Sequence, residues 1–217
     1  GGATAIEWRT FFGWAHSRSR NWPDEVLSAW MVERRIAQLM RGSDWGRLTP
    51  RFVTEEIGYL RDLGVDSLED YQTLERNGRV MALTAAAREK IWNLLERHRE
   101  EMQRRNESDW HEQALRFRNH ARNHPEAMPG YDFIFIDEAQ FFAKIWFEPV
   151  LASLRPGGQL FLAADPTQGF LKRRESWAAA GIEVRGRSSR LGRPYRSTRA
   201  ILSFARDLVE RRRALHP

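Results

Sequence analysis

Asp132-Phe133-Ile134-Phe135-Ile136-Asp137-Glu138-Ala139-Gln140-Phe141-Phe142 is an apolar run, rich in Ile and Phe, that ends abruptly in two carboxylates. A buried strand of a nucleotide-binding sheet delivers acids in this way to the sheet's C-terminal edge, where such folds bind ligands. An Asp at that edge can hold Mg²⁺ against ATP phosphates, because Mg²⁺ takes few carboxylates and completes its shell with water and phosphate oxygens. The neighbouring Glu can orient or deprotonate an attacking water. Taken alone, the segment reads equally as a buried strand followed by an acidic helix cap.

Two later segments decide between these readings. Leu160-Phe161-Leu162-Ala163-Ala164-Asp165-Pro166-Thr167-Gln168 is a second apolar strand ending in polar residues at a Pro-containing turn. Leu191-Gly192-Arg193-Pro194-Tyr195-Arg196-Ser197-Thr198-Arg199-Ala200-Ile201 then sets an aromatic and arginines at the start of a helical pattern. In order and spacing, the three segments resemble motifs II, III and IV of the UvrD/Rep/PcrA-like superfamily-1 DNA helicases, which read D-E-x-Q-D, G-D-x-x-Q and N-Y-R-S.

The resemblance implies a role for each matching position. Asp137 is the expected Mg²⁺ ligand and Glu138 the general base, while Gln140 would couple the phosphate state to the DNA path. Asp165 and Gln168 form a second cluster, in which the neutral amide of Gln168 suits a hydrogen bond to a γ-phosphate oxygen or the attacking water. Tyr195 would stack on adenine and Arg196 would reach the γ-phosphate, its planar fork making two charge-assisted bonds. Phe170, Lys172, Arg173, Arg174 and Trp177 stand where the family contacts single-stranded DNA through aromatic and basic side chains; Trp177 reads equally as core. The chain departs from the pattern at Phe141, where Asp is common, at Ala164 in place of Gly, and at Leu171, where Tyr is frequent. Asp-Pro-Thr-Gln at 165–168 is also good turn chemistry in any protein.

Charge is more informative by position than in total. Residues 1–130 carry 20 basic and 20 acidic side chains, so the net +6 lies wholly in 131–217, with 15 basic against 9 acidic. From Lys172 onward the count is 13 to 4. A localised basic excess suits a polyanion, either nucleotide phosphates or a nucleic-acid backbone. It is also the ordinary surface of an arginine-preferring protein, with 32 arginines to three lysines. The 41% hydrophobic content describes a globular chain, and the absence of cysteine excludes disulfides and thiolate metal sites. No apolar run approaches the roughly 20 residues that span a bilayer, so no membrane partner is expected and the cytoplasm is the default location. His120 and His124 have i,i+4 spacing without a carboxylate pattern and read as surface residues. Arg211-Arg212-Arg213 reads as a solvated helix end, where cations suit the dipole.

The organisation follows from breakers and periodicity. Helices are expected over 5–20, from Trp22-Pro23-Asp24-Glu25 to about Met40, and over 51–63 with Gly64 as the stop. A short helix opens at Ser67, and the longest runs from Thr84 to about Asn106, with Ile91, Leu94, Leu95, His98 and Met102 on one face. Ser108 opens a last helix before Pro125 and Pro129-Gly130. Strands are then expected near 132–137, 159–164 and 182–187, alternating with helices near 142–154, 173–180 and 197–213. This divides the chain into an all-helical part, 1–130, and an α/β part, 131–217. The fold class is α/β: part of a P-loop NTPase (RecA-like) parallel sheet with a mainly helical insertion resembling the family's 1B subdomain. Within that insertion Tyr71, Asn77-Gly78-Arg79, Arg88, Trp92 and Ser108-Asp109-Trp110 resemble the corresponding stretch in many members, and Ile6 to Phe12 sits where a T-F-H-x-F-like motif belongs.

No G-x-x-x-x-G-K-[ST] segment occurs in the chain, and the family places it ahead of the residue numbered 1 here. The expectation is therefore a central fragment of a longer ATP-dependent helicase, whose cofactors are ATP and Mg²⁺ and whose partners are single-stranded DNA and the rest of the helicase. Alone it should neither hydrolyse ATP efficiently nor unwind DNA, and its sheet should keep edges for something else to cover. Two alternatives remain: a non-catalytic, helicase-derived module that binds nucleic acid or protein, and an ATPase whose substrate is not DNA.

Overall fold

A computed structural model describes residues 6–18, 22–23, 25–76, 79, 81–165, 177–192 and 198–215. The chain forms two compact units, Gly1–Ile182 and Glu183–Pro217. In the first, helices α1 (Phe11–Arg18), α2 (Ala29–Leu39), α3 (Pro50–Leu63), α4 (Leu68–Thr73), α5 (Ala85–Arg104), α6 (Trp110–Asn123) and α7 (Lys144–Ala152) accompany strands β1 (Glu25–Leu27), β2 (Glu107–Asp109), β3 (Tyr131–Ile136) and β4 (Leu154–Leu162). The second contains α8 (Arg199–Leu215). β1 pairs in parallel with β2, and β3 in parallel with β4. The architecture is mixed α/β, with helix predominating and the described strands in two small parallel pairs. The expected division at residue 130 falls inside the first unit.

α3 shows how local chemistry sets an element. Thr49 caps it, its hydroxyl accepting from the Phe52 N–H, and Pro50 occupies the first turn, where its missing N–H costs nothing. Gly64 ends it in the left-handed conformation, φ +75°. A Cβ on Gly64 would lie 2.6 Å from Arg118 Nη1 and 2.8 Å from Ile145 Cγ2. Gly42 shares the left-handed conformation, φ +77°, with nothing within 4 Å. Gly42→Ala should therefore cost only the conformational penalty, about 1–2 kcal/mol, whereas Gly64→Ala should cost visibly more, because α6 and α7 must also give way. Equal thermal midpoints for the two variants would contradict this packing.

The main core joins Leu27 of β1 to Val32 and Ile36 of α2, Val53, Ile57 and Leu60 of α3, and Ile91, Leu94, Leu95 and Met102 of α5. The α5 face expected from its periodicity, His98 included, is the buried one. Two ionic junctions cross this core. Arg61, 1% exposed, donates from Nη1 to Asp109 Oδ2 at 2.6 Å and from Nη2 to Glu112 Oε2 at 3.0 Å. Asp109 also caps α6 by accepting the Glu112 N–H at 2.8 Å, and His98 Nε2 lies 3.4 Å from its Oδ2. Elsewhere the fully buried Glu56 receives Arg76 Nε at 2.6 Å, Arg79 Nε at 3.0 Å and the Tyr71 hydroxyl at 2.9 Å.

Burial pushes the Asp109 carboxyl upward, but the Arg61 charge, the His98 ring and His111 outweigh it and hold Asp109 well below its ordinary value. Glu56 is likewise raised by burial and brought below its ordinary value by Arg76, Arg79 and Tyr71. Both folded-state values are depressed, so the stability these groups contribute is complete above the unfolded-state values near 4 and is lost as pH falls toward the folded-state values. The urea midpoint should thus fall steadily below about pH 4, and the Glu56→Gln chain should show a flatter decline. A wild-type midpoint insensitive to acid would sink this account.

Four expectations are corrected. The helix expected from Trp22-Pro23 begins only at Ala29, because Glu25–Leu27 is drawn into parallel pairing with Glu107–Asp109; a partner so distant in sequence leaves no local signal. Asp109, not Ser108, caps α6, since Ser108 belongs to the same strand pair. Residues 182–187 form turns rather than a strand: the Arg187 N–H donates to Val184 O and the Arg185 N–H to the Glu183 carboxylate, so these backbone donors are satisfied locally. Of the helix expected at 173–180, Trp177–Ala180 is a single 3₁₀ turn; 173–176 lie outside the described residues.

β3 and β4 place the candidate site. Phe133 pairs with Gln159 and Ile136 with Leu162, with an irregularity near the start where Pro156-Gly157 bulges out. Ile136 is buried and Ile134, Leu160 and Leu162 are half-buried, whereas Phe133, Phe135 and Phe161 are 60%, 72% and 59% exposed. Phe135 lies 5.7 Å from Phe161 and 6.5 Å from Phe133 between ring centres, forming one aromatic strip. One face of the pair is therefore packed and the other open, whereas parallel sheets are normally covered on both.

Candidate functional site

Because β3 and β4 run in parallel, both release their polar residues at the same edge. The pairing continues past Ile136, with Ala163 N–H donating to Ile136 O at 2.8 Å and Ala139 N–H to Ala163 O at 2.9 Å. Asp137 and Glu138 emerge on one side of this edge and Asp165 on the other.

Glu138 adopts φ 52°, ψ 39°, a left-handed conformation that non-glycine residues avoid at a cost of about 1–3 kcal/mol. Glu138 and Asn106 are the described non-glycine residues with positive φ, and asparagine tolerates that region far better than glutamate. The turn is held from three directions. The Glu138 N–H donates to Asp137 Oδ1 at 2.9 Å, and the Phe141 N–H donates to Glu138 O at 3.0 Å. The Gln140 amide donates from Nε2 to Glu138 Oε2. Strain of this kind survives where the surroundings over-determine it, and it concentrates at functional sites.

Gln140 spans the edge. While its Nε2 holds the Glu138 carboxylate, its Oε1 accepts the Asp165 N–H at 3.0 Å. One side chain thus ties the acidic end of β3 to the polar end of β4, so that neither shifts without the other. Behind it Phe142 packs 5.9 Å from Phe11, 5.2 Å from Trp146 and 5.4 Å from Phe147 between ring centres, anchoring the segment to α1 and α7. Phe11 also stacks on Trp146 at 4.6 Å and Phe12 packs edge-on against it at 5.3 Å, so these two aromatics of the T-F-H-x-F-like segment are engaged in packing, while Trp8 is exposed.

No family model and no curated protein matches this chain. Asp137 and Glu138 are exposed, while Gln140 and Asp165 are half-buried. An exposed Asp with one oxygen engaged by a backbone N–H fits a metal that keeps most of its waters, as Mg²⁺ does. No cluster of three or more His, Cys, Asp or Glu side chains suited to a metal is found among the described residues.

Four of the expected site residues, Asp137, Glu138, Gln140 and Asp165, are thus brought together. Trp177 is half-buried and packs edge-on against Phe147, with 5.9 Å between ring centres. Gln168, Phe170, Lys172, Arg173, Arg174, Tyr195 and Arg196 lie outside the described residues. The backbone turn at Glu138 and the Gln140 bridge carry no signal in composition or periodicity, since both depend on β4 arriving alongside β3. Among the described residues no helix is long and apolar enough to cross a membrane.

Proposed function

We propose that this chain is part of an ATP-dependent DNA helicase or translocase of the UvrD/Rep-like kind, contributing motifs II to IV of a P-loop NTPase core and its helical insertion. The observation that carries the reading is the Gln140 bridge between the strained Glu138 turn and the Asp165 backbone, at the shared C-terminal edge of two parallel strands. In such sheets this edge is where ligands bind.

When bound with ATP, Mg²⁺ would supply charge neutralisation on the phosphates. Asp137 would hold the cation, through water in its shell. Glu138 presents a carboxylate to the attacking water and takes its proton. Gln140 fixes that carboxylate and transmits displacement of the β4 end, at Asp165, to it. Gln168 and Arg196 complete the γ-phosphate contacts, and Tyr195 stacks on the adenine. Phe170, Lys172, Arg173, Arg174 and Trp177 supply the single-stranded DNA path, whose basic excess is written in the sequence.

The test is the native reading frame around this chain. If it extends upstream through a G-x-x-x-x-G-K-[ST] segment, the whole protein should show ATPase activity stimulated by single-stranded DNA. If the native protein starts near Gly1, the catalytic reading fails, and a non-catalytic module that binds nucleic acid or protein replaces it.

A further inference from the structure

We propose that the groove between α2 and the start of α3 is a second nucleic-acid contact, in which Trp30 stacks on one base of a single strand and Arg34 holds a neighbouring phosphate. The choice of partner rests on the helicase reading; the site itself lies in the helical part, on α2 and the start of α3.

α2 buries Val32 and Ile36 and turns Trp30 outward, 63% exposed. Trp30, Glu33, Arg34 and Ala37 recur at helical spacing on one face and line a shallow, open groove bounded on its other side by Pro50 and Arg51. Small Ala37 and the flat Pro50 ring leave the indole accessible. A single exposed aromatic needs no explanation by itself; the charges around this one supply it. Arg34 is exposed and makes no ion pair among the described residues, and the same holds for Arg41 and Arg47 in the α2–α3 turn. Arg51 is held by Glu55 at 3.1 Å, in an exposed pair that a phosphate can displace at little cost. Against these stand Asp44 and Glu33, the latter lining the groove itself, so three exposed arginines outside any described ion pair face two acids. The hairpin is therefore net positive outside its own ion pairs. An indole face with a guanidinium one helical turn away matches the alternation of base and phosphate in a single strand.

The experiment is a fluorescence-anisotropy titration of a labelled oligo-dT with the full chain over a salt series. Trp30→Ala should weaken binding about 5- to 150-fold, the range a base–aromatic stack contributes. Trp30→Phe should retain most of the affinity, and Arg34→Ala should reduce the salt slope by about one phosphate. Thermal midpoints should not move, since both side chains are exposed. If the wild type binds and Trp30→Ala binds equally well, the groove is overturned while the helicase reading stands. No binding by the wild type also overturns the groove, and the helicase reading is then decided separately by the ATPase of the native protein. Trp30-dependent binding of poly-glutamate in place of oligo-dT would overturn the nucleic-acid assignment in favour of an acidic protein partner.

Discussion

Asp109→Ala is expected to lower the thermal midpoint of the chain by roughly 8–24 °C. Arg61 is 1% exposed and Asp109 2%, so removing the carboxylate leaves a guanidinium buried without its closest counter-charge. Breaking such a pair costs about 3–5 kcal/mol, and loss of the α6 cap adds about 1 kcal/mol. Each kcal/mol moves the midpoint of a protein this size by about 2–4 °C, which gives the stated range. Against a typical total of about 5–15 kcal/mol, that is enough to unfold a marginal protein. Asp109→Asn keeps an oxygen for the cap and should fall between wild type and alanine. The double variant Arg61→Met with Asp109→Leu should recover much of the loss, because no charge is then stranded. A melting curve for Asp109→Ala within about 2 °C of wild type, under the cost of even one kcal/mol, would show that this junction contributes nothing net.

Glu138→Gln should abolish most ATP turnover in the native protein while leaving its fold intact. The amide keeps the size of the side chain and retains an oxygen to accept from Gln140, so the strained turn is still held. What it loses is the capacity to take a proton from water, and general-base catalysis of this kind is typically worth about 10²–10⁴-fold. The expected result is a fall in kcat of that order, with nucleotide affinity and single-strand affinity changed little. Gln140→Ala should show a different pattern, with a smaller loss of turnover and weaker stimulation by DNA, because the carboxylate remains and only its tie to Asp165 is cut. Unchanged kcat in Glu138→Gln would remove Glu138 from the chemistry and leave the strained turn without a catalytic purpose.

Much of the local structure was legible in the chain. The helix expected over 51–63, with Gly64 as its stop, matches α3 to within a residue, and the spacing of Ile91, Leu94, Leu95, His98 and Met102 named the buried face of α5. Two apolar runs ending in acids placed β3 and β4, and with them the position of Asp137, Glu138 and Asp165. Those signals are short-range: a cap, a helical repeat and a strand pattern are each satisfied within a few residues.

What lies between distant segments was not legible. Pairing of Glu25–Leu27 with Glu107–Asp109 overrode a good local helix start, and it set Asp109, rather than Ser108, against the buried Arg61. Strand-like residues at 182–187 went into turns that satisfied their own backbone groups. Residue order alone settles which residue types reach the candidate edge. The left-handed turn at Glu138 and the Gln140 link to Asp165 come from long-range packing, because that geometry exists only once β4 lies beside β3 and supplies the second partner.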